Sequence, residues 1–256
     1  MKTLMKSDFF FLHKTSKIII FGTLILMFSI LSPLTARYMN EILHALLSTS
    51  DDLVISFPET SVLDSYFQYV GDLNEIILWV VLFVGVSIFI RDKSKGHMPL
   101  VMSKPIDRTK YLLSKYIVFS VLLFGLLSVG YLVFSYYTNA LFKELLFLDG
   151  LVMLLYYFVY VEFLLAVALL MSILFDTYIL AILLTFLVYI ISNVLNMLSD
   201  LTFFSHLPGM LNSAGVEYLV TDGIVEGSII TLIVGIGLTI ALLILSTAIF
   251  KKQELA

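Results

Sequence analysis

Glu162 is the one acidic side chain set deep inside an apolar run, Leu151–Phe175 (LVMLLYYFVYVEFLLAVALLMSILF). A carboxylate at the centre of a membrane helix costs about 2.5–3.5 kcal/mol on insertion scales, so it must be hydrogen-bonded, hydrated or protonated. Its neighbours one turn away, Phe158, Val159, Leu165 and Ala166, offer nothing to pair with. The expected partners therefore come from other helices, with Tyr131, Tyr189 and Asn193 at suitable depths. Two roles fit: a polar point on a substrate or proton path, or a hydrogen bond between helices.

The second chemically distinctive stretch is Arg91–Lys115, RDKSKGHMPLVMSKPIDRTKYLLSK. It carries seven of the fifteen Lys and Arg residues: Arg91, Lys93, Lys95, Lys104, Arg108, Lys110 and Lys115. Within it, Gly96 breaks the preceding helix, Met98–Met102 reads as a short helix with an apolar ridge (Met98, Leu100, Val101, Met102), and Pro105 ends it. A short amphipathic helix of this kind fits a groove on a partner protein. A solvated basic loop held against anionic lipid accounts for the charge equally well.

Enzyme signatures are missing from the sequence. There is no GxxxxGK[ST] phosphate loop, no HExxH and no GxSxG. The four histidines, His13, His44, His97 and His206, are scattered and fall on opposite sides of the expected membrane, which argues against a shared metal site. With no cysteine, disulfides, thiol catalysis and cysteine-ligated metals are excluded.

The elements that must position these residues follow from hydropathy. The chain is 60% hydrophobic with a mean hydropathy of +1.04 and 13% charged residues. Six runs are long enough to cross a bilayer as helices: Ile18–Leu34, Glu75–Ile90, Tyr116–Thr138, Leu151–Phe175, Tyr178–Leu198 and Ser228–Phe250. The fold expected is all-α, one transmembrane domain over residues 1–256, because a spanning segment must satisfy its own backbone hydrogen bonds. Lys2, Lys6, Lys14, Lys17, the seven basic residues of 91–115, Lys251 and Lys252 share one side; only Arg37 and Lys143 lie on the other. The positive-inside rule makes the first side cytoplasmic and puts both termini there.

The remaining segments are more than connectors. Residues 1–17 read as an interfacial helix with Phe9, Phe10, Phe11 and Leu12 among lysines. The lysines, the apolar run and Leu34-Thr35-Ala36 also permit a signal-peptide reading; a first span is preferred. In the outer loop 35–74, Tyr38–Leu47 has helical spacing and Ser61–Tyr69 reads as a second helix with Thr60 or Ser61 as cap and Asp64 in its first turn. Both are expected to form a surface cap over the outer mouth. The outer segment 199–227, broken by Pro208, Gly209, Gly215 and Gly223, either lies at the interface or re-enters the membrane inside protein. Aromatics on the outer halves of the third and fourth spans (among them Tyr131, Phe134, Tyr136, Tyr157) read as interfacial belt and packing.

On these residues the chain resembles the membrane subunits of type-2 ABC exporters. The resemblance rests on Lys95-Gly96, the short helix Met98–Met102, the turn Ser103-Lys104-Pro105-Ile106-Asp107-Arg108, Ser114-Lys115, the Ser32-Pro33-Leu34 exit from the first span and the broken outer segment around Pro208. Asp92 and His97 depart from the family's Glu-x-x-x-Gly-Thr. The resemblance implies a permease of a bacterial plasma membrane, paired with a second permease subunit (a copy or a paralogue) and with two separate ABC ATPase chains. ATP and Mg would be bound by those ATPases and no cofactor by this chain. The residues implied in coupling are Lys95, Gly96, His97, Met98, Leu100, Val101, Met102 and Lys104, with residues 1–17 bracing them. Among such permeases the chain is similar to exporters of amphipathic cytolytic or antimicrobial peptides, such as phenol-soluble modulins, from Gram-positive bacteria. The cargo implied is an amphipathic peptide, with membrane lipid as a further partner and no nucleic acid. Two other functions fit the residues: a proton-coupled carrier using Glu162, and a non-transporting immunity or anchor protein.

Overall fold

The computed structural model describes residues 2–14, 16–47, 59–94, 107–196, 206–221 and 227–252. The coupling segment expected from Lys95, Gly96, His97, Met98, Leu100, Val101, Met102 and Lys104 lies outside the described residues. All regular structure among the described residues is helical: α1 (Lys2–Lys14), α2 (Lys17–Leu47), α3 (Val62–Asp72), a π-turn (Leu73–Ile77), α4 (Leu78–Ser94), α5 (Arg108–Phe142), α6 (Phe147–Leu174), α7 (Tyr178–Asn196), α8 (Met210–Thr221) and α9 (Ser228–Lys252). Among the described residues six stretches are long and apolar enough to cross a membrane: Lys17–Leu43, Val62–Ile90, Arg108–Phe142, Phe147–Leu174, Tyr178–Leu195 and Ser228–Lys252.

The core is built around α6, the most buried of the six. It packs against α4, α5, α7, α8 and α9. Its residues Val161, Leu164, Ala166, Ala168 and Leu169 are fully enclosed. By contrast, α7 and α9 present long rows of isoleucine and leucine outward, including Ile179, Leu183, Ile233 and Ile244. A helix apolar on all sides is the form that hydrocarbon surroundings allow.

Two expectations about the outer half are corrected. The helix of the first span does not end at Ser32-Pro33-Leu34, because α2 runs through Pro33 to Leu47. Hydroxyls around the proline bond to carbonyls one turn back, Ser29 to Ile25 (2.7 Å), Ser32 to Phe28 (2.5 Å) and Thr35 to Leu31 (3.0 Å). Tyr38–Leu47 is thus the end of α2 and not a separate cap.

The second correction concerns Ser61–Tyr69. Its capping is as expected: Asp64 accepts from the Ser61 amide (2.7 Å) and hydroxyl (3.0 Å). The helix is not a surface cap, however. It continues through the π-turn into α4, and Ser65, Tyr66 and Tyr69 are completely buried. Phe134 of α5 stacks on Tyr69 at 4.2 Å and meets Tyr66 edge-on at 5.0 Å. The aromatics Tyr131, Phe134, Tyr156, Tyr157 and Tyr160 are therefore core, and Tyr136 at 72% exposure faces outward. An inserted third helix explains the difference, since it supplies a buried face that hydropathy reads only as belt.

The segment 206–221 re-enters the bundle. Gly209 lies so close to the Ser192 carbonyl of α7 that a Cβ would stand 2.3 Å from its oxygen. Leu211 is fully enclosed and touches the Gly235 position, seven residues into α9. Seven residues at 1.5 Å each place Leu211 about 10 Å inside the Ser228 end of that helix. From there α8 climbs back along α6, with Gly215 against Met153 and Tyr156.

Candidate functional site

Three places hold polar chemistry: a buried carboxylate between α5 and α6, the end of the bundle where α1 sits, and an acidic cleft at the opposite end.

Glu162 is 9% exposed, and both its oxygens are engaged by α5. The Tyr116 hydroxyl donates to Oε2 (2.5 Å) and lies 3.1 Å from the Glu162 carbonyl, while the Ser120 hydroxyl donates to Oε1 (2.7 Å). Among the described residues no cation approaches this carboxylate within ion-pair distance. The expected partners Tyr131, Tyr189 and Asn193 do not reach it. Tyr131 donates to the Phe147 carbonyl at the N-terminal end of α6 (2.7 Å). Asn193 donates to the Tyr189 carbonyl (2.9 Å) and approaches the Tyr160 hydroxyl (3.4 Å), and the Tyr189 ring meets Trp79 at 6.3 Å. The correction has a geometric cause: depth along a helix was legible, but the direction each side chain faces was not. One signal was available, because Tyr116 and Ser120 are four apart and so share a face of α5.

The α1 end is held by side chains from five helices. Asp8 of α1 accepts from Ser114 of α5 (3.0 Å), Lys17 of α2 donates to Ser87 of α4 (2.5 Å), and Arg108 of α5 donates to the Lys251 carbonyl of α9 (3.2 Å). Tyr111 of α5 stacks on Phe250 of α9 at 6.3 Å. Lys115, 2% exposed, lies 4.7 Å from the Tyr111 ring and 3.4 Å from the Ile88 carbonyl. α1 buries Leu12 against the bundle and leaves Phe9, Phe10, Lys6 and Lys14 exposed. α5 opens here at Asp107, whose carboxylate accepts from the Thr109 amide (2.9 Å). That amide holds the Asp107 carboxyl below the usual carboxylate range. The two points from which residues 95–106 depart, Ser94 and Asp107, both end helices tied into this cluster.

At the opposite end, a cleft of about 600 Å³ lies between α2 and α3, lined by Asn40, Glu59, Asp64, Asp72 and Glu75. Asp72 is occupied by Ser32 (2.7 Å) and Gln68 (3.1 Å), and Asp64 by its cap. Glu59 and Glu75 are exposed. Arg37, the nearby cation, donates to Thr60 (3.4 Å) and rests 5.8 Å from the Phe142 ring.

Among the described residues no group of three or more histidine, aspartate or glutamate side chains is placed to hold a metal. His206 lies 3.4 Å from the Thr231 hydroxyl and serves the re-entrant turn. Compared with protein-family models, with curated proteins and with solved structures, the chain finds no match.

Proposed function

We propose that this chain is the membrane subunit of an ATP-driven exporter of a bacterial plasma membrane, working with separate ABC ATPase chains and a second permease subunit. Its cargo is an amphipathic peptide moved outward. The observation that carries this reading is the convergence at one end of the bundle. The basic loop returns through α5, which is latched to α1 and to the end of α9 by Asp8–Ser114, Arg108–Lys251 and Tyr111–Phe250. It leaves through α4, which is tied to α2 by Lys17–Ser87 and to α5 by Lys115 at the Ile88 carbonyl. A push delivered to Met98–Met102 would enter α4 and α5 together and spread to α1 and α9, because these contacts tie them as one body. That end holds nearly all the basic residues, which makes it the cytoplasmic end under the positive-inside rule. The acidic cleft then faces outward, where a cationic amphipathic peptide would leave.

Glu162 supports this reading over a proton-coupled carrier. Both its oxygens are taken by hydroxyls of one neighbouring helix, an arrangement suited to fastening α5 to α6. A carrier relay needs several intramembrane ionisable groups in sequence.

The experiment is purification of the tagged full chain from its own membranes with an assay of ATP hydrolysis in the eluate. Wild type brings down ATPase activity, and the pair Met98→Asp with Leu100→Asp loses it. Retention of the ATPase by that pair overturns the assignment of the coupling helix. Peptide efflux that survives ATP depletion but collapses with Glu162→Gln overturns the exporter reading itself.

A further inference from the structure

The re-entrant segment leaves a space beneath it. α8 and its turn fill the gap between α6 and α9 only in the outer part of the bundle. Below the turn, an apolar groove of about 330 Å³ runs between three spans. Its walls are Phe163 and Val167 of α6, Val188 and Ile191 of α7, and Leu238 and Leu242 of α9, and Leu207-Pro208 form its roof. Among the described residues Ser192 is the one polar side chain in the lining.

From this geometry we infer that the groove holds a single hydrocarbon chain of a membrane lipid, wedged under the re-entrant turn. Two observations favour that occupant. The first is continuity. Ile191 is 47% and Leu238 37% exposed at the mouth, and beside them Ile190, Val194 and Ile236 face outward as part of the same apolar belt. The groove thus opens sideways into the hydrocarbon that α7 and α9 already meet. The second is chemistry: among the described residues the lining offers a single hydroxyl and no charge, which suits a hydrocarbon chain better than a polar ligand.

The physical role follows from packing. A void beside a helix removes the dispersion contacts its lining would otherwise make, and in lipid such contacts are the main source of cohesion between spans. The Leu207-Pro208 turn has protein on its upper side in α8, and on its lower side it has this groove. A seated chain supports the turn from below and keeps α7 and α9 at their present separation. This inference does not depend on the exporter reading, because it concerns one chain and its bilayer.

The test uses the full chain reconstituted with a phospholipid bearing a photoactivatable diazirine in one acyl chain, with adducts mapped by mass spectrometry. Adducts are expected on Val188, Leu238 and Leu242 at several-fold the yield on Ile179, Leu183 and Ile233. Those three belt residues are more exposed, at 70%, 60% and 62%. Val188→Trp fills the groove and abolishes adducts at Leu238 and Leu242 while leaving the belt unchanged. Leu242→Phe makes the same test from the opposite wall if the tryptophan variant does not fold. Yields that simply follow exposure overturn the inference and leave ordinary annular lipid. So does efficient crosslinking between two copies through a cysteine placed at Ile191, which would show that protein covers the groove.

Discussion

Removing the Tyr116 hydroxyl tests most directly whether Glu162 fastens two helices or carries protons. In Tyr116→Phe, Oε2 of Glu162 loses its 2.5 Å donor, and Oε1 keeps Ser120 at 2.7 Å. Hydrogen bonds between membrane helices contribute about 0.6 kcal/mol on average and up to about 1.7 in double-mutant cycles. A short bond to a carboxylate enclosed on all sides belongs at the upper end of that range. The coupling between Tyr116→Phe and Glu162→Gln should therefore be near 1.7 kcal/mol, roughly an 18-fold effect on the unfolding constant. Glu162→Gln alone should cost little, because its carbonyl still accepts from one hydroxyl and no charge remains to be held in the bundle. The assay is reversible unfolding of the four proteins in mixed micelles, beside cargo efflux by the same variants in vesicles. Stability and efflux should fall together in Tyr116→Phe and stay near wild type in Glu162→Gln. A coupling indistinguishable from zero refutes the clamp. Loss of efflux in Glu162→Gln with unchanged stability refutes it more sharply, since only a titrating carboxylate would be missed.

Gly150→Ala should be destabilising by about 1–3 kcal/mol, an overpacking cost, because its Cβ would stand 2.3 Å from the Tyr131 hydroxyl and 2.5 Å from the Tyr66 ring. Gly237→Ala, whose Cβ meets open space, should instead stabilise α9 by about 0.5–1 kcal/mol; melting curves of the two variants compare them directly. Asp107 has a depressed folded pKa, so its contribution to the start of α5 is present above the ordinary carboxylate range and lost as pH falls through the folded value. Wild type and Asp107→Ala should accordingly differ in stability at neutral pH and converge in strong acid, and a gap that persists there removes the capping argument. Because the chain has no cysteine, single cysteines report sidedness cleanly. Cysteines at Ser7 and Lys252 should react with an impermeant maleimide only in inverted vesicles, and those at Glu59 and Glu144 only in intact cells. The opposite pattern reverses the orientation.

Some of this was legible from local sequence. Asp107 and the Ser61–Asp64 cap were readable because each bonds within three residues of itself. The start of α5 was legible as well: the sequence places it at Ile106 or Asp107, with Arg108, Lys110 and Lys115 in the first turns, and the helix opens at Arg108 behind Asp107. Lys115 was less so: it is buried among Tyr111 and Ile88 and not at a polar boundary, which no hydropathy scale anticipates. Tyr116 and Ser120 could have been proposed for Glu162 from their four-residue spacing, but many other pairs in these spans share it.

By itself the sequence determined that six helices are long and apolar enough to cross a membrane and that basic residues gather at one set of helix ends. Both are sums over contiguous residues, and the bilayer acts on each span separately. Only the tertiary structure decided which faces of those helices meet. It turned two segments between the expected spans, α3 and α8, into buried members of the bundle, gave Glu162 to Tyr116 and Ser120, and opened the groove under Pro208. The physical reason is that inside hydrocarbon every face of a helix is equally apolar. Pairing is then decided by shape and by a few hydrogen bonds between side chains far apart in the chain.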